Sequence, residues 1–276
     1  MARTDPILLG LWISLLVIAV IWIAPVVFIF LTAIKTRPDL ISTGTFGLPS
    51  EIAWQNFPKA WERGGLGTTM TNSLIIALIK VPLGIFVSSL AAFALTRLRV
   101  PLGRLFLALI VMGAMIPVQV AVAPLFRLVL ELGLLNQYVG ILLPYIAFGV
   151  PFQVFLLTAF FRAIPRELDE AARMDGASAF AIYRRVVLPL SLPALAAIFV
   201  LDFVATWNEF GIALVILQHQ DMWTVPLSLQ AFKGQFGNNY TEMNAAIFMS
   251  IIPVIVVYLL LQRYFVSGLT SGAVKG

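Results

Sequence analysis

Long apolar stretches alternate with short polar ones along this chain. A helix that crosses a bilayer needs about 20 predominantly apolar residues. Six segments meet that length, at 7–34, 69–95, 104–129, 139–161, 189–217 and 244–265. The pattern predicts an all-α, polytopic membrane protein with about six transmembrane helices in a single domain spanning 1–276. Pro25, Pro82, Pro117, Pro124, Pro144, Pro151 and Pro253 fall inside these segments and predict kinks or broken turns. Such breaks are tolerated where the backbone faces protein or a water-filled path rather than lipid. The longest polar intervals are 35–68, 162–188 and 218–243.

Composition agrees with the pattern. Hydrophobic residues make up 61%, charged residues 11%, and the mean hydropathy is +0.98. Soluble domains carry roughly a quarter charged residues, so the solvent for most of this surface is lipid. The first apolar run shows no obvious small-residue cleavage site and reads as a retained span rather than a signal peptide. A net charge of +5 would suit nucleic acid. The basic residues, however, lie in short loops between spans, where they set orientation instead. With the N-terminus inside, the inner segments hold eleven Lys and Arg (Arg3, Arg97, Arg99, Arg104, Arg162, Arg166, Arg173, Arg184, Arg185, Arg263 and Lys275) against six outside, leaving out Lys80 within a span. The bias predicts both termini in the cytoplasm, 162–188 on the cytoplasmic side, and 35–68 and 218–243 outside.

The interval 162–188 is the most charged part of the chain, with four acids and five arginines. Pro165 suits a first helical turn, and Glu167, Asp169 and Glu170 then lie near the positive end of the helix dipole. Arg166 with Glu170, and Asp169 with Arg173, are spaced to pair along that helix. Leu168, Ala171, Ala172 and Asp175 fall near one face. Gly176 suits a left-handed stop, and Ser178 can cap a second short helix that carries Tyr183, Arg184 and Arg185 toward Pro189. The prediction is a short helix along the membrane surface, its alanines allowing close approach and its charges forming a rim, a helix-in-groove shape. Lipid headgroups are a poorer match: three acids in four residues repel an anionic leaflet, and alanines anchor weakly.

The stretch EAARMDGASAFAIYRRVVLPL resembles the EAA loop of permeases of binding-protein-dependent ABC importers. TNSLIIAL at 71–78, AAFALTRLRVP at 91–101, WNEF at 207–210 and GLTSGAVKG at 268–276 are similar to the carbohydrate-uptake branch, and most to the smaller permease of the maltose type. The likeness is weakest before residue 69. It implies that Glu170, Ala171, Ala172, Asp175 and Gly176 couple to a cytoplasmic ATPase, and that the tail Gly272, Ala273, Val274, Lys275 and Gly276 makes a second contact with it. It implies a second homologous permease, two ATPase subunits that bind the ATP and magnesium, and an extracytoplasmic sugar-binding protein, in a bacterial cytoplasmic membrane. No cofactor is then expected on this chain.

Span five carries Asp202, Thr206, Trp207, Asn208 and Glu209. Ionisable groups in a bilayer are costly and usually face a bundle interior or a wet cavity. Asp202, Thr206 and Glu209 share a helix face. Such a face suits a hydroxyl-rich ligand, with Trp207 able to stack on a sugar ring, and it equally suits a structural network between spans. Lys80 could pair with Asp202 or reach an interface. Asn72 and Gln119 read as polar links between helices, although Gln119, flanked by Pro117 and Pro124, could also line a path through a broken helix.

Catalysis finds little support. No Gly-Lys dipeptide exists to build a Walker A loop. His219 stands alone in an outer loop, and with no cysteine or second histidine nothing predicts a metal centre. The sequence reads as a permease subunit of an ATP-driven importer of a neutral oligosaccharide, such as a maltose- or trehalose-like glucoside. The competing reading is a stand-alone ion-coupled transporter using Asp202 and Glu209. The aromatic residues of 218–243 (Trp223, Phe232, Phe236 and Tyr240) are expected to meet the delivering protein or its sugar.

Overall fold

The computed structural model describes residues 6–233 and 239–273, with side chains over 7–233 and 239–263. Arg3, Phe236, Val274, Lys275 and Gly276 lie outside the described residues. Among those described, every regular element is helical. In chain order they are α1 (Pro6–Ala33), α2 (Arg37–Thr43), α3 (Asn56–Arg63), α4 (Leu66–Arg97), α5 (Gly103–Gly113), α6 (Val118–Glu131) and α7 (Tyr138–Ala163). Then follow α8 (Glu167–Met174), α9 (Ala179–Ile182), a π-turn at Tyr183–Val187, α10 (Leu188–Leu190), α11 (Leu192–Trp207), α12 (Gly211–Ile216), a 3-10 turn at Gln220–Met222, α13 (Val225–Ser228), a second 3-10 turn at Leu229–Phe232 and α14 (Tyr240–Ala273).

Four helices (α1, α4, α7 and α14) are long and apolar enough to cross a membrane, and the total rises to six when each of two bent pairs is taken as one span. The six-segment pattern is therefore present, but two segments are broken. The stretch expected as one helix over 104–129 is α5 and α6, bent by 92°. Pro117 lacks an N–H and excludes Ile116 from helical geometry; it stands at the N-cap of α6 with ψ 126°. The stretch expected over 189–217 joins the helix of 179–190 to α11 with a 74° bend at Ser191. It then stops at Trp207 and restarts as α12. Pro25, Pro82, Pro124, Pro144, Pro151 and Pro253 lie inside continuous helices.

The described residues fall into two units. In the unit of residues 1–67 and 228–252, the interval 35–68 is folded rather than open loop. Asn56 donates from Nδ2 to the carbonyls of Ala33 and Lys35, 2.8 Å each, satisfying backbone acceptors at the end of α1 that have no helical donor. Lys35 is fully buried and donates to the Gly44 carbonyl at 2.6 Å and Thr43 Oγ1 at 3.1 Å. Asp39 accepts from the Ser50 N–H and hydroxyl, both at 3.0 Å. Phe30 and Phe57 each meet the ring of Phe248, and Arg63 pairs with Glu242 at 3.0 Å.

In the unit of residues 68–227 and 253–276, α7 is central. It packs against α5, α6, α11 and α12. One apolar cluster joins Ile76, Ile141, Tyr145, Ile212 and Ile216; another joins Phe93, Leu157, Phe161, Ile182 and Val187; a third stacks Phe203 and Trp207 against Val81. Asn72 ties the segment after α12 to α4, donating to the carbonyls of Asp221 (2.7 Å) and Trp223 (3.0 Å) while accepting from the Tyr138 hydroxyl.

Candidate functional site

The segment 162–188 forms the expected pair of short helices. α8 begins at Glu167, one residue after Arg166 at its N-cap, so Pro165 precedes the helix rather than entering its first turn. Glu167, Asp169 and Glu170 occupy the first turn, where the dipole favours them. At the other end Gly176 has φ +79°. Its N–H bonds the Arg173 carbonyl at 3.0 Å, and the Ala177 N–H bonds the Ala172 carbonyl at 2.9 Å. Those two bonds close a left-handed helix stop. The Ser178 hydroxyl accepts from the Ala181 N–H at 3.3 Å and caps α9.

Side-chain placement divides α8 into two faces. Asp169 points inward, and its Oδ2 lies 3.1 Å from Arg97 Nη1. It thus pairs with the end of α4 rather than along its own helix with Arg173. Ala172 and Ala177 pack on the Phe161–Ile182 cluster. Leu168, Glu170, Ala171, Met174, Asp175 and Gly176 are exposed. The two alanines expected on a common contact face are therefore separated, one resting on the bundle and one facing out. Met174 is 89% exposed and Phe180 62%, large apolar groups that the alanine pattern did not single out. Between α8 and the end of α4 lies a polar basin of about 650 Å³ lined by Arg97, Arg99, Arg166, Asp169, Glu170 and Arg173.

Three polar residues of span five, Asp202, Thr206 and Glu209, meet partners inside the bundle. Lys80 donates to Asp202 Oδ1. Gln153 Nε2 donates to Asp202 Oδ2 at 2.9 Å, and the Ser88 hydroxyl donates to Gln153 Oε1 at 2.9 Å. This chain links α4, α7 and α11. Glycines make room for it: a Cβ at Gly149 would meet Lys80 Nζ at 3.0 Å, and one at Gly84 would meet Gln153 Oε1 at 3.2 Å. The Thr206 hydroxyl donates to the Asp202 carbonyl at 2.7 Å. Trp207 is buried and stacked on Phe203, with centroids 5.7 Å apart.

Glu209 caps α12. Its carboxylate accepts from the N–H groups of Ile212 (2.7 Å) and Ala213 (3.1 Å), and from the Tyr145 hydroxyl. Asn208 is exposed, as is Gln119 in the first turn of α6. The predicted set is thus split: Asp202, Thr206, Trp207 and Glu209 hold the bundle, while Asn208 and Gln119 face outward. Tyr145, Gln153 and Arg97 carry no sequence signal of their roles, because each acts across a long separation in the chain. His219 is exposed. Phe232 is buried, whereas Tyr240 is half exposed. α14 runs through Gly272 and Ala273.

A further cavity of about 660 Å³ is lined by Leu78, Pro82, Phe86, Leu192, Phe199 and Leu260. Its walls are almost wholly apolar, and the hydroxyls of Ser89 and Tyr183 that border it bond each other at 2.7 Å. It therefore offers a sugar few hydrogen-bond partners, and a polar ligand loses heavily when its groups go unpaired.

Apolar helices, a short charged helix packed on them, and the buried pairs Lys80–Asp202 and Arg97–Asp169 define a polytopic membrane protein. Residues 80–270 match the family of the binding-protein-dependent transport system inner membrane component, and the chain belongs to that family. The chain is 33% identical to the probable ABC transporter permease YurM of Bacillus subtilis, over 97% of this chain and 88% of that one. It is 37% identical to the melibiose/raffinose/stachyose import permease MelC of the same organism, over 91% of each. The fold matches a chain from the crystal structure of a bacterial ABC transporter involved in import of the acidic polysaccharide alginate. The TM-score there is 0.79, with 28% identity and coverage of 96% of this chain and 99% of that one. The molecule is a permease subunit of a sugar ABC importer, a transport component that leaves ATP hydrolysis to a partner.

Proposed function

We propose that this permease forms half of a translocation path and receives its driving force through residues 162–188. The observation that carries the reading is the two-faced α8: its inner face is anchored by Asp169 and Ala172, and its outer face presents Leu168, Glu170, Ala171, Met174 and Asp175. A surface helix whose acids and apolar groups both face out suits a groove on a protein better than a lipid surface. Two cytoplasmic ATPase subunits close on ATP and push through this helix. Gly272 to Gly276 make a second contact with them. Both termini are cytoplasmic, a second homologous permease supplies the other half of the path, and an external binding protein delivers the sugar to residues 35–68 and 218–243.

The cargo is a neutral oligosaccharide, with maltose- or trehalose-like glucosides as the narrower choice. MelC is named for neutral oligosaccharides. Lys80, within a span, is already paired with Asp202 and is not available to an acidic sugar. Of the predicted pathway residues, Asn208 and Gln119 are the two left exposed to meet sugar hydroxyls.

Charge reversal at Glu170 tests the coupling. Glu170→Lys should leave the permease inserted but strip the ATPase from the purified complex and abolish ATP-dependent uptake. Full ATPase retention with normal uptake would reject the assignment. The cargo is settled by measuring which sugars the cognate binding protein holds and which of them compete for uptake; binding of acidic sugars alone would reject the neutral class.

A further inference from the structure

We propose that Arg97 is a positioning residue that ties α8 to the ends of α4 and α7, so that movement of α8 is passed to the spans. The proposal rests on the reading of α8 as the ATPase-docking helix. Arg97 is the last residue of α4. Its Nη2 donates to the carbonyls of Phe161 at 2.6 Å and Ile164 at 2.8 Å. These lie at the C-terminal end of α7, where helical donors run out, the Phe161 carbonyl otherwise accepting only the Ile164 N–H at 3.3 Å, and where the dipole favours a cation. Its Nη1 meets Asp169 of α8 at 3.1 Å. One guanidinium thus joins three elements, and its side chain is 2% exposed, with that of Asp169 at 9%.

The other links between α8 and the bundle differ in kind. Ala172 and Ala177 pack against the Phe161–Ile182 cluster. Apolar packing is non-directional, so it carries a push but lets surfaces slide or part under a pull. Arg166 reaches the Thr96 carbonyl at only 3.4 Å, beyond the usual range for a strong bond. A short helix that must move spans in both directions of a cycle needs a directional attachment, and charge-assisted bonds from a buried arginine provide one. Lysine cannot replace it, because a single ammonium lacks the planar fork that bonds two carbonyls and a carboxylate together.

The test uses the complete importer in vesicles, with ATP hydrolysed and sugar delivered measured in the same sample, and ATPase retention measured on the purified complex. Arg97→Lys and Asp169→Asn should both retain the ATPase. Sugar delivered per ATP should fall about tenfold, the effect expected from losing one charge-assisted bond. The two changes combined should be no worse than Arg97→Lys alone. An unchanged ratio overturns the proposal. So does a proportional loss of hydrolysis, transport and assembled complex in both variants, which marks a mere brace. If Arg97→Lys does not assemble, the isosteric Asp169→Asn decides alone. Glu170→Lys, run in parallel, separates the two readings. Unaltered ATPase retention and uptake there sink the docking role of α8 itself, whereas release of the ATPase with an unchanged ratio for Arg97→Lys sinks only this inference.

Discussion

Lys80 and Asp202 lie 122 positions apart in sequence and in contact in space. Either charge alone in the bundle would be costly; together, with Gln153 on the second carboxylate oxygen, they form a neutral network. Sequence reasoning raised this pairing beside a pathway role and an interfacial one. It could not choose, because the choice depends on how closely α4, α7 and α11 approach, which Gly84 and Gly149 permit. Lys80→Met should destabilise the permease by about 3–5 kcal/mol by stranding the carboxylate, and Lys80→Met with Asp202→Leu should recover most of that loss. Thermal unfolding of the purified permease complex in detergent measures both. Equal destabilisation by the single and double variants would show that the charges are not coupled. Trp207 teaches a related lesson. An aromatic beside polar residues suggests a sugar platform, yet its ring is consumed by Phe203.

At the scale of elements, local signals read well and distant ones did not. The stop at Gly176 and the cap at Ser178 depend on residues within one turn, and the structure has both. The partner of Asp169 was legible only as Arg173, four residues on. The buried Arg97 prevails because it meets the carboxylate away from water, where charges attract more strongly. The right-angle bend between α5 and α6 was signalled only by Pro117, one of nine prolines in the expected spans; Pro189 and Pro193 flank the second break at Ser191, and the other six lie in unbroken helices. The cap that Glu209 places on α12 was not legible, because α12 itself was read as the tail of a longer span.

Gly176 provides an element-scale prediction. A Cβ there meets nothing within 4 Å, so the cost of substitution comes from the left-handed backbone alone, about 1–2 kcal/mol for an ordinary L-residue. Uptake should therefore decline in the order Gly, Asn, Ala, Val, since Asn tolerates that conformation better than Ala, and a β-branched residue tolerates it worst. Uptake assays on the wild type and the three variants at equal membrane abundance give the order. Ala outperforming Asn would mean that side-chain contact, not backbone geometry, governs the position.

For the whole molecule, the all-helical class and the six apolar segments were legible, since lipid admits few alternatives to helices. The folding of 35–68 was not. That interval reads as a polar loop, yet Lys35, Asp39 and Asn56 are buried in it, each using hydrogen bonds that only the folded segment supplies. The competing reading of an ion-coupled transporter makes a molecular-scale prediction. It needs Asp202 and Glu209 free to bind and release a cation, but the first holds Lys80 and Gln153 and the second holds Tyr145 and the start of α12. Vesicles containing this chain alone should show no sugar uptake under a proton or sodium gradient. Gradient-driven accumulation would overturn the importer assignment.

The first helix leads to a different consequence. The most apolar stretch of α1 has none of its residues buried within the chain, and Trp12 and Trp22 are largely exposed. Within this chain such a segment answers to length and oiliness rather than to fit. Exchanges among Leu, Ile, Val and Phe at its exposed positions fall in the range of near-neutral surface changes. Sequence can wander in α1 while the jigsaw of later spans holds still.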